Sequence, residues 1–309
     1  MINIASVTDS DFTDVLMTFY VSILENNLDH TFQFFIIDDK LTRDDKAYFK
    51  QLLDIYHNIK KIEFVNVNAK YYKKANLNPP TNAIKENTYY RLDLPLLVPV
   101  SRLLYLDADM ICTGDISGLW NSNLHGYPLG AIEDGGFYLT HNRLNEMHVS
   151  HKNNMYFNAG VLLFDIKKWN DQHLTEKLHQ FITKKGDILK YQDQDALNAV
   201  LNGNWQLLDT KYDVQDHLAR QELLNPDPGR RKMDEKAREN PVIIHYTEWG
   251  KPWIRTGKWV HPWRAQYYWY KYIATQRLHE YEPNRSYVVN KDYLKQKRAV
   301  LKKAKRESQ

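Results

Sequence analysis

The sequence predicts an α/β protein built on a mostly parallel sheet, and three observations carry that reading. Short apolar segments alternate with helical spacings from the first residues onward. The intervening helices run to about 10–15 residues, the length that crossovers between parallel strands use. Finally, 309 residues with 43% hydrophobic content and only 12 Gly and 11 Pro supply core material for one large or two small domains. That composition excludes disordered, collagenous and disulfide-built chains. Cys112 is the single cysteine, so no intramolecular bridge forms and nothing asks for an oxidising compartment.

Ile2 to Val7 reads as a buried opening strand. Asp14 to Glu25 then places Val15, Leu16, Phe19, Ile23 and Leu24 at helical spacing. A second strand is predicted over Thr31 to Ile37, closed by Asp38-Asp39, and a second helix over Leu41 to Tyr56 with Thr42 as its cap. Ile62 to Val67 alternates like a strand. A helix is predicted over Thr88 to Leu97, followed by an apolar strand, Arg102 to Leu106, that runs straight into Asp107-Ala108-Asp109. Further strands are expected at Tyr127 to Glu133 and Ala159 to Asp165, and helices at Leu174 to Lys185 and Gln194 to Leu201. Asn225 to Asn240, with two prolines, a glycine and dense mixed charge, reads as a surface loop or linker and a subdomain boundary. Trp249 to Tyr272 holds five of the eight tryptophans.

The N-terminus has no basic start, and Asp9 and Asp11 interrupt any apolar stretch, so no secretion signal is read there. The run Leu94 to Val100 contains two prolines and is far shorter than the roughly 20 residues of a spanning helix. Net charge is +4, but Lys291 to Gln309 alone carries eight Lys or Arg against Asp292 and Glu307. The first 290 residues are therefore slightly acidic, which excludes a nucleic-acid binder on charge grounds. The expected location is cytoplasmic, and the basic tail reads either as a weakly amphipathic helix resting on anionic lipid at the inner face of the membrane or as a solvated, frayed end.

Asp107 and Asp109 stand two apart at a strand end, so both carboxylates point the same way and can share one cation. Two hard oxygen ligands suit Mg²⁺ or Mn²⁺, which can neutralise a departing diphosphate. Asp9-Ser10-Asp11 and Asp193-Gln194-Asp195 have the same spacing, so spacing alone does not select. What sharpens the reading is Val242-Ile243-Ile244-His245, a histidine closing an apolar strand, with Lys251-Pro252-Trp253 six residues on. An imidazole beside two carboxylates favours Mn²⁺, and a lysine can hold a phosphate as a point charge.

With Thr8-Asp9, Tyr90-Arg91-Leu92, Leu104-Tyr105-Leu106-Asp107-Ala108-Asp109, Tyr156-Phe157-Asn158-Ala159-Gly160-Val161, Tyr191-Gln192-Asp193-Gln194-Asp195 and His245…Lys251-Pro252-Trp253 in this order, the sequence resembles the family 8 glycosyltransferases from Ile2 to about Trp253. The resemblance implies a GT-A fold, an αβα sandwich with a mixed, mostly parallel sheet, followed here by a C-terminal helical extension. It implies a catalytic domain over 1–255 and an aromatic, basic helical segment over 256–309. It also implies retaining transfer of glucose, N-acetylglucosamine or galactose from a UDP-sugar to a bacterial surface glycan or glycoprotein, with Mn²⁺, or Mg²⁺ as the alternative. By position, Asp107, Asp109 and His245 match the metal ligands, and Lys251 the diphosphate contact beside Gly250. Asp9 matches the uracil-binding aspartate, with Val7 and Thr8 as backbone partners and Phe12 as a stacking face. Arg91, Ala108, Asn158, Ala159, Gly160, Asp193 and Gln194 match the surroundings of the donor, and Asp134, in competition with Glu133, an acid on a sugar hydroxyl.

One position departs from the family pattern: Glu248 stands where a glycine lets a backbone amide approach phosphate. A carboxylate there repels a diphosphate, so either the loop uses Gly250 instead or Glu248 turns outward. Glu248 is also the main support for an alternative function, a non-catalytic nucleotide-sugar-binding relative. Among catalytic routes, an amide such as Gln194 is a poor nucleophile, so the expected route is front-face attack, with Gln194 supporting the sugar. Trp249, Trp253, Trp259 and Trp263 are expected to be mostly core, with sugar stacking as their other use.

Overall fold

A computed structural model describes residues 1–72, 75, 86–138, 143–149, 155–248, 250–254 and 260–278. Its first half is β1 (Ile2–Asp9), α1 (Thr13–Asn26), β2 (Phe32–Asp39), α2 (Arg43–Ile55), β3 (Ile59–Val65), a 3₁₀ segment (Glu86–Asp93), α3 (Leu94–Leu97), β4 (Arg102–Leu106), β5 (Met110–Cys112) and α4 (Ser117–Trp120). There follow β6 (Leu129–Glu133), α5 (Arg143–Glu146), β7 (Phe157–Asp165), α6 (Ile166–Asp171), α7 (Leu174–Lys185), α8 (Gln192–Leu201), β8 (Gln206–Leu207), α9 (Asp216–Ala219), α10 (Pro228–Glu239), β9 (Ile243–His245) and α11 (Arg264–Arg277). Among the described residues the strands form one seven-stranded sheet, ordered β3-β2-β1-β4-β7-β6-β8, and a ribbon of β5 with β9. β7 runs antiparallel to both its neighbours while the other pairs in the sheet are parallel, the mixed sheet of a GT-A fold.

Alternation along the strands builds the sandwich. Ile4, Phe34 and Leu104 pack on one face with Leu16, Phe19, Phe49 and Leu52 of α1 and α2. Ala5, Phe35, Leu103 and Tyr105 face the other side, among Leu174, Leu178 and Ala196 of α7 and α8. Each fully buried aliphatic or aromatic side chain contributes about 1.5–3 kcal/mol, so a one-residue slip of any of these strands would exchange its two faces at large cost. Thr42 caps α2 as expected: its hydroxyl accepts from Asp45 N at 3.1 Å while Asp45 accepts from Thr42 N at 2.8 Å.

Two expectations are corrected. The helix predicted over Thr88 to Leu97 is a 3₁₀ segment followed by one α turn. Pro95 has no N–H to offer the carbonyl of Arg91, so a continuous α-helix cannot pass through it. The loop or linker predicted over Asn225 to Asn240 is the helix α10. Asp227 caps it, accepting from Arg230 N at 2.8 Å, and Pro228 occupies the first turn, where its missing N–H costs nothing. Its buried face is narrow, Asp234 and Ala237, which is why periodicity did not reveal it. The aromatic C-terminal segment contributes α11, tied to α1 by Lys271 on Asp14, Arg277 Nε on Glu25 at 2.8 Å and Asn26 Nδ2 donating to Tyr270 at 2.7 Å. The basic tail, Lys291 to Gln309, lies outside the described residues, as do Trp249 and Trp259. Trp253 and Trp263 are partly buried against the aromatic cluster of Tyr246 and Tyr267. No described helix is long and apolar enough to cross a membrane.

Candidate active site

After β4 the chain passes through Asp107-Ala108-Asp109 into β5, which leaves the main sheet and pairs antiparallel with β9. The register sets Met110 opposite His245 and so brings the imidazole beside the two carboxylates. One ligand atom from each of Asp107, Asp109 and His245 lies within 4.8 Å of the other two. His245 Nε2 is 3.3 Å from Asp109 and 3.9 Å from Asp107. On the far side of the ring, Nδ1 meets the fully buried Asp213 at 2.8 Å, an arrangement that fixes the tautomer and turns Nε2 toward the carboxylates. Gly160 packs on the same ring, and a Cβ there would collide with it.

This donor set fits a divalent cation. Two hard oxygens and one imidazole nitrogen, backed by a third carboxylate, are what Mn²⁺ or Mg²⁺ accepts from protein. Burial alone would lower the His245 pKa, but Asp213 and Asp109 outweigh it and hold the imidazole well above its ordinary value. A cation would therefore take the place of the Nε2 proton. Burial would likewise raise Asp109, yet Lys251, with Nζ 2.5 Å from its Oδ2, and His245 hold it far below the usual carboxylate range.

Arg91 joins this centre to the rest of the cleft. Buried over the Tyr105 ring, it donates to Ala159 O at 2.6 Å and reaches Asp107 at 3.0 Å and Asp193 at 2.9 Å. Burial pushes the Asp193 carboxyl up to about 6, against the pull of Arg91 and the 2.5 Å bond from the Thr88 hydroxyl. Gln194 has both ends of its amide engaged: Oε1 accepts from Ala159 N at 3.0 Å and Nε2 donates to Asp134 at 2.7 Å. Asp134 also accepts from Gly136 N at 2.8 Å, and burial raises its pKa. Glu133, its competitor in sequence, is drawn away by Arg230 at 2.7 Å and Asn225 at 2.8 Å. Asn158 accepts from Gly160 N at 2.8 Å within β7, where the pairing of that strand with β6 shifts register.

Of the residues anticipated from sequence, Arg91, Asp107, Asp109, Asn158, Ala159, Gly160, Asp193, Gln194 and His245 line one cleft. Lys251 and Asp134 touch its walls through Asp109 and Gln194. Val7, Thr8, Asp9, Phe12, Ala108 and Gly250 do not line it. Asp9 accepts from Phe12 N at 3.0 Å, a turn cap, and the Phe12 ring stands edge-on to Trp253 at 6.3 Å, so the first strand's end abuts the Lys251 loop. Sequence reasoning missed Thr88, Thr247 and Asp213. Thr88, three residues before Arg91 on the same helical segment, was open to a spacing argument; Asp213 gave no signal. Gln192, also in the cleft, has φ of 41°, a left-handed conformation rare for a side-chain-bearing residue. Glu248 turns outward, gripped by Arg220 at 2.6 and 2.8 Å.

The comparisons agree with this geometry. The sequence profile described as Glycosyl transferase family 8 matches residues 3–257. General stress protein A of Bacillus subtilis (strain 168) is 32% identical over 278 residues, spanning 87% of this chain and 93% of its own. Lipopolysaccharide 1,2-glucosyltransferase of Escherichia coli (strain K12) is 30% identical over 260 residues, 82% of this chain and 72% of its own. Among solved structures, the galactosyltransferase LgtC in complex with donor and acceptor sugar analogs superposes with a TM-score of 0.77 at 22% identity, covering 96% of this chain and all of that one. The protein belongs to glycosyl transferase family 8 and is a glycosyltransferase of GT-A fold.

Proposed function

We propose that the enzyme moves a hexose or N-acetylhexosamine from a UDP-sugar to a bacterial surface glycan or glycoprotein, retaining anomeric configuration, with Mn²⁺ held by Asp107, Asp109 and His245. The observation that carries this reading is the convergence of those three ligand atoms beside a cleft lined by Arg91, Asp193 and Gln194. The names of its relatives support a hexose donor and a surface acceptor, since they include glucosyltransferases of lipopolysaccharide. When bound, the cation would supply charge to offset the developing negative charge on the departing diphosphate. Lys251 would add a second positive charge there, and Arg91 and Asp193 would bind the sugar hydroxyls. Val7, Thr8, Asp9 and Phe12 would receive the uridine.

The engaged amide of Gln194 supports front-face attack. Its oxygen is bound to Ala159 N and its nitrogen to Asp134, so it is built to orient rather than to attack. In that route the acceptor hydroxyl bonds to the anomeric carbon as the bond to the β-phosphate breaks, and the phosphate oxygen takes the hydroxyl proton. The outward turn of Glu248 removes the main support for a non-catalytic relative. The Lys291 to Gln309 tail would hold the enzyme at the cytoplasmic face of the membrane. Incubation with UDP-glucose, UDP-galactose and UDP-N-acetylglucosamine in Mn²⁺ is expected to release UDP from one of them. Undiminished release in excess chelator would overturn the metal assignment, and release from none would overturn the donor class.

A further inference from the structure

The departure at Glu248 has a counterpart in the fold. α9 and the residue after it grip the turn between His245 and Lys251 at two levels. Its backbone is held by Asp216, fully buried, whose carboxylate accepts from Thr247 N at 3.1 Å and Glu248 N at 3.2 Å. His261 Nε2 lies 3.2 Å from the same carboxylate, and its Nδ1 accepts from Trp263 N at 3.1 Å, so Nε2 carries the proton that it donates to Asp216. The turn's only carboxylate side chain is held by Arg220, which meets both oxygens of Glu248 and, from its other edge, both oxygens of Glu222 at 3.0 and 3.1 Å. Thr247, next in the chain, lines the cleft.

We propose that Arg220 is a positioning residue of the transferase site, holding Glu248 outward so that its carboxylate stays away from the diphosphate received by Lys251. The inference rests on the donor-site reading above. The pair is exposed enough, with 25% and 47% of the two side chains accessible, that it contributes little to stability. Its geometry nevertheless fixes direction: a two-pronged guanidinium–carboxylate contact sets both the place and the plane of the acid. Freed of Arg220, Glu248 would carry an uncompensated negative charge three residues from both His245 and Lys251. Without Glu248, Arg220 would have nothing to hold there.

That reciprocity gives the test. UDP affinity is measured by titration calorimetry, in Mn²⁺ and in EDTA, for wild type, Arg220→Ala, Arg220→Lys and the double variant Arg220→Ala/Glu248→Gln, with thermal melting of each. Arg220→Ala is expected to weaken UDP roughly tenfold, about 1.4 kcal/mol, at an unchanged melting temperature, and the double variant to return within about threefold of wild type. Arg220→Lys, which keeps the charge without the fork, is expected to lie between them. Wild-type affinity in Arg220→Ala would overturn the proposal, and so would a loss that Glu248→Gln does not restore, since that would mark a purely structural role. A wild type that binds no UDP would bring down the donor-site reading and this inference together. A wild type that binds UDP while the rescue fails would leave that reading standing and remove only the role of Arg220.

Discussion

Asp107-Ala108-Asp109 and Asp193-Gln194-Asp195 have the same spacing and opposite fates. The first bridges β4 and β5, and the pairing of β5 with β9 brings both of its carboxylates to His245. The second opens α8, where residues two apart diverge around the helix. Asp193 enters the cleft toward Arg91, while the fully buried Asp195 turns away to Arg143, the Tyr156 hydroxyl at 2.8 Å and the amides of Lys190 and Tyr191 at 2.8 and 3.0 Å. In the first pair, Asp107 meets Arg91 and Asp109 meets Lys251, yet an oxygen of each stays within reach of one cation beside His245. In the other, the two carboxylates face different partners and share no such point. An Asp-X-Asp pattern therefore acquires meaning only from the elements that carry or flank it.

The sharpest way to break this contrast is to substitute one member of each pair. Asp109→Asn should cut sugar transfer about 10³-fold or more, because a charge aimed at the departing diphosphate is lost with the cation. Its melting temperature should stay within about 3 °C of wild type. Asp195→Asn should do the reverse in emphasis. It leaves the buried guanidinium of Arg143 with only the half-exposed Glu146 at 2.7 Å as counter-charge, a loss of about 3 kcal/mol, and melting should fall on the order of 10 °C. Equal destabilisation by the two substitutions would show that both pairs are structural.

The same contrast explains what was legible beforehand. Apolar runs exposed β1, β2 and β4, because helix layers cover both of their faces, and the Leu174 to Lys185 helix appeared with its observed bounds. The ribbon that completes the metal site was illegible. β5 is three residues long, and nothing in Met110-Ile111-Cys112 announces that it leaves the sheet to pair with β9. Asp213 and Asp216 were equally silent, since each works through a partner 32 or 45 positions away, His245 for the first and His261 for the second. The position of His245 in sequence suggested a ligand, but only the register of β5 on β9 brings it to Asp109.

Asp213 permits a finer test, because it acts on the metal site without facing the cleft. Asp213→Asn keeps an acceptor for Nδ1 of His245 but removes the charge that orients the ring and raises its basicity. Mn²⁺ affinity in the presence of UDP should fall by about 10-fold, at the low end of what a carboxylate behind a metal-bound histidine is worth. Saturating Mn²⁺ should restore most of the turnover, which it would not do for Asp109→Asn. Turnover that stays low at saturating metal would mean that Asp213 does more than support the imidazole.

The smallest effect concerns a buried acid outside both pairs. Asp234, on α10, accepts a 2.9 Å bond from the neutral hydroxyl of Thr210, and burial pushes its carboxyl from the ordinary 3.8 up to about 6, with Glu133 adding to the rise and Arg230 opposing it. Because the folded state holds this proton more tightly than the unfolded chain does, the contribution is complete below about pH 4. It is lost as pH climbs to about 6 and stays lost above that. Asparagine imitates the protonated form at every pH. Asp234→Asn should thus melt with wild type near pH 4 and on the order of 1–2 °C higher at pH 8, a difference that opens between those values. A difference that does not vary with pH would mean that the Asp234 charge is already compensated in the fold, as that of Asp195 is.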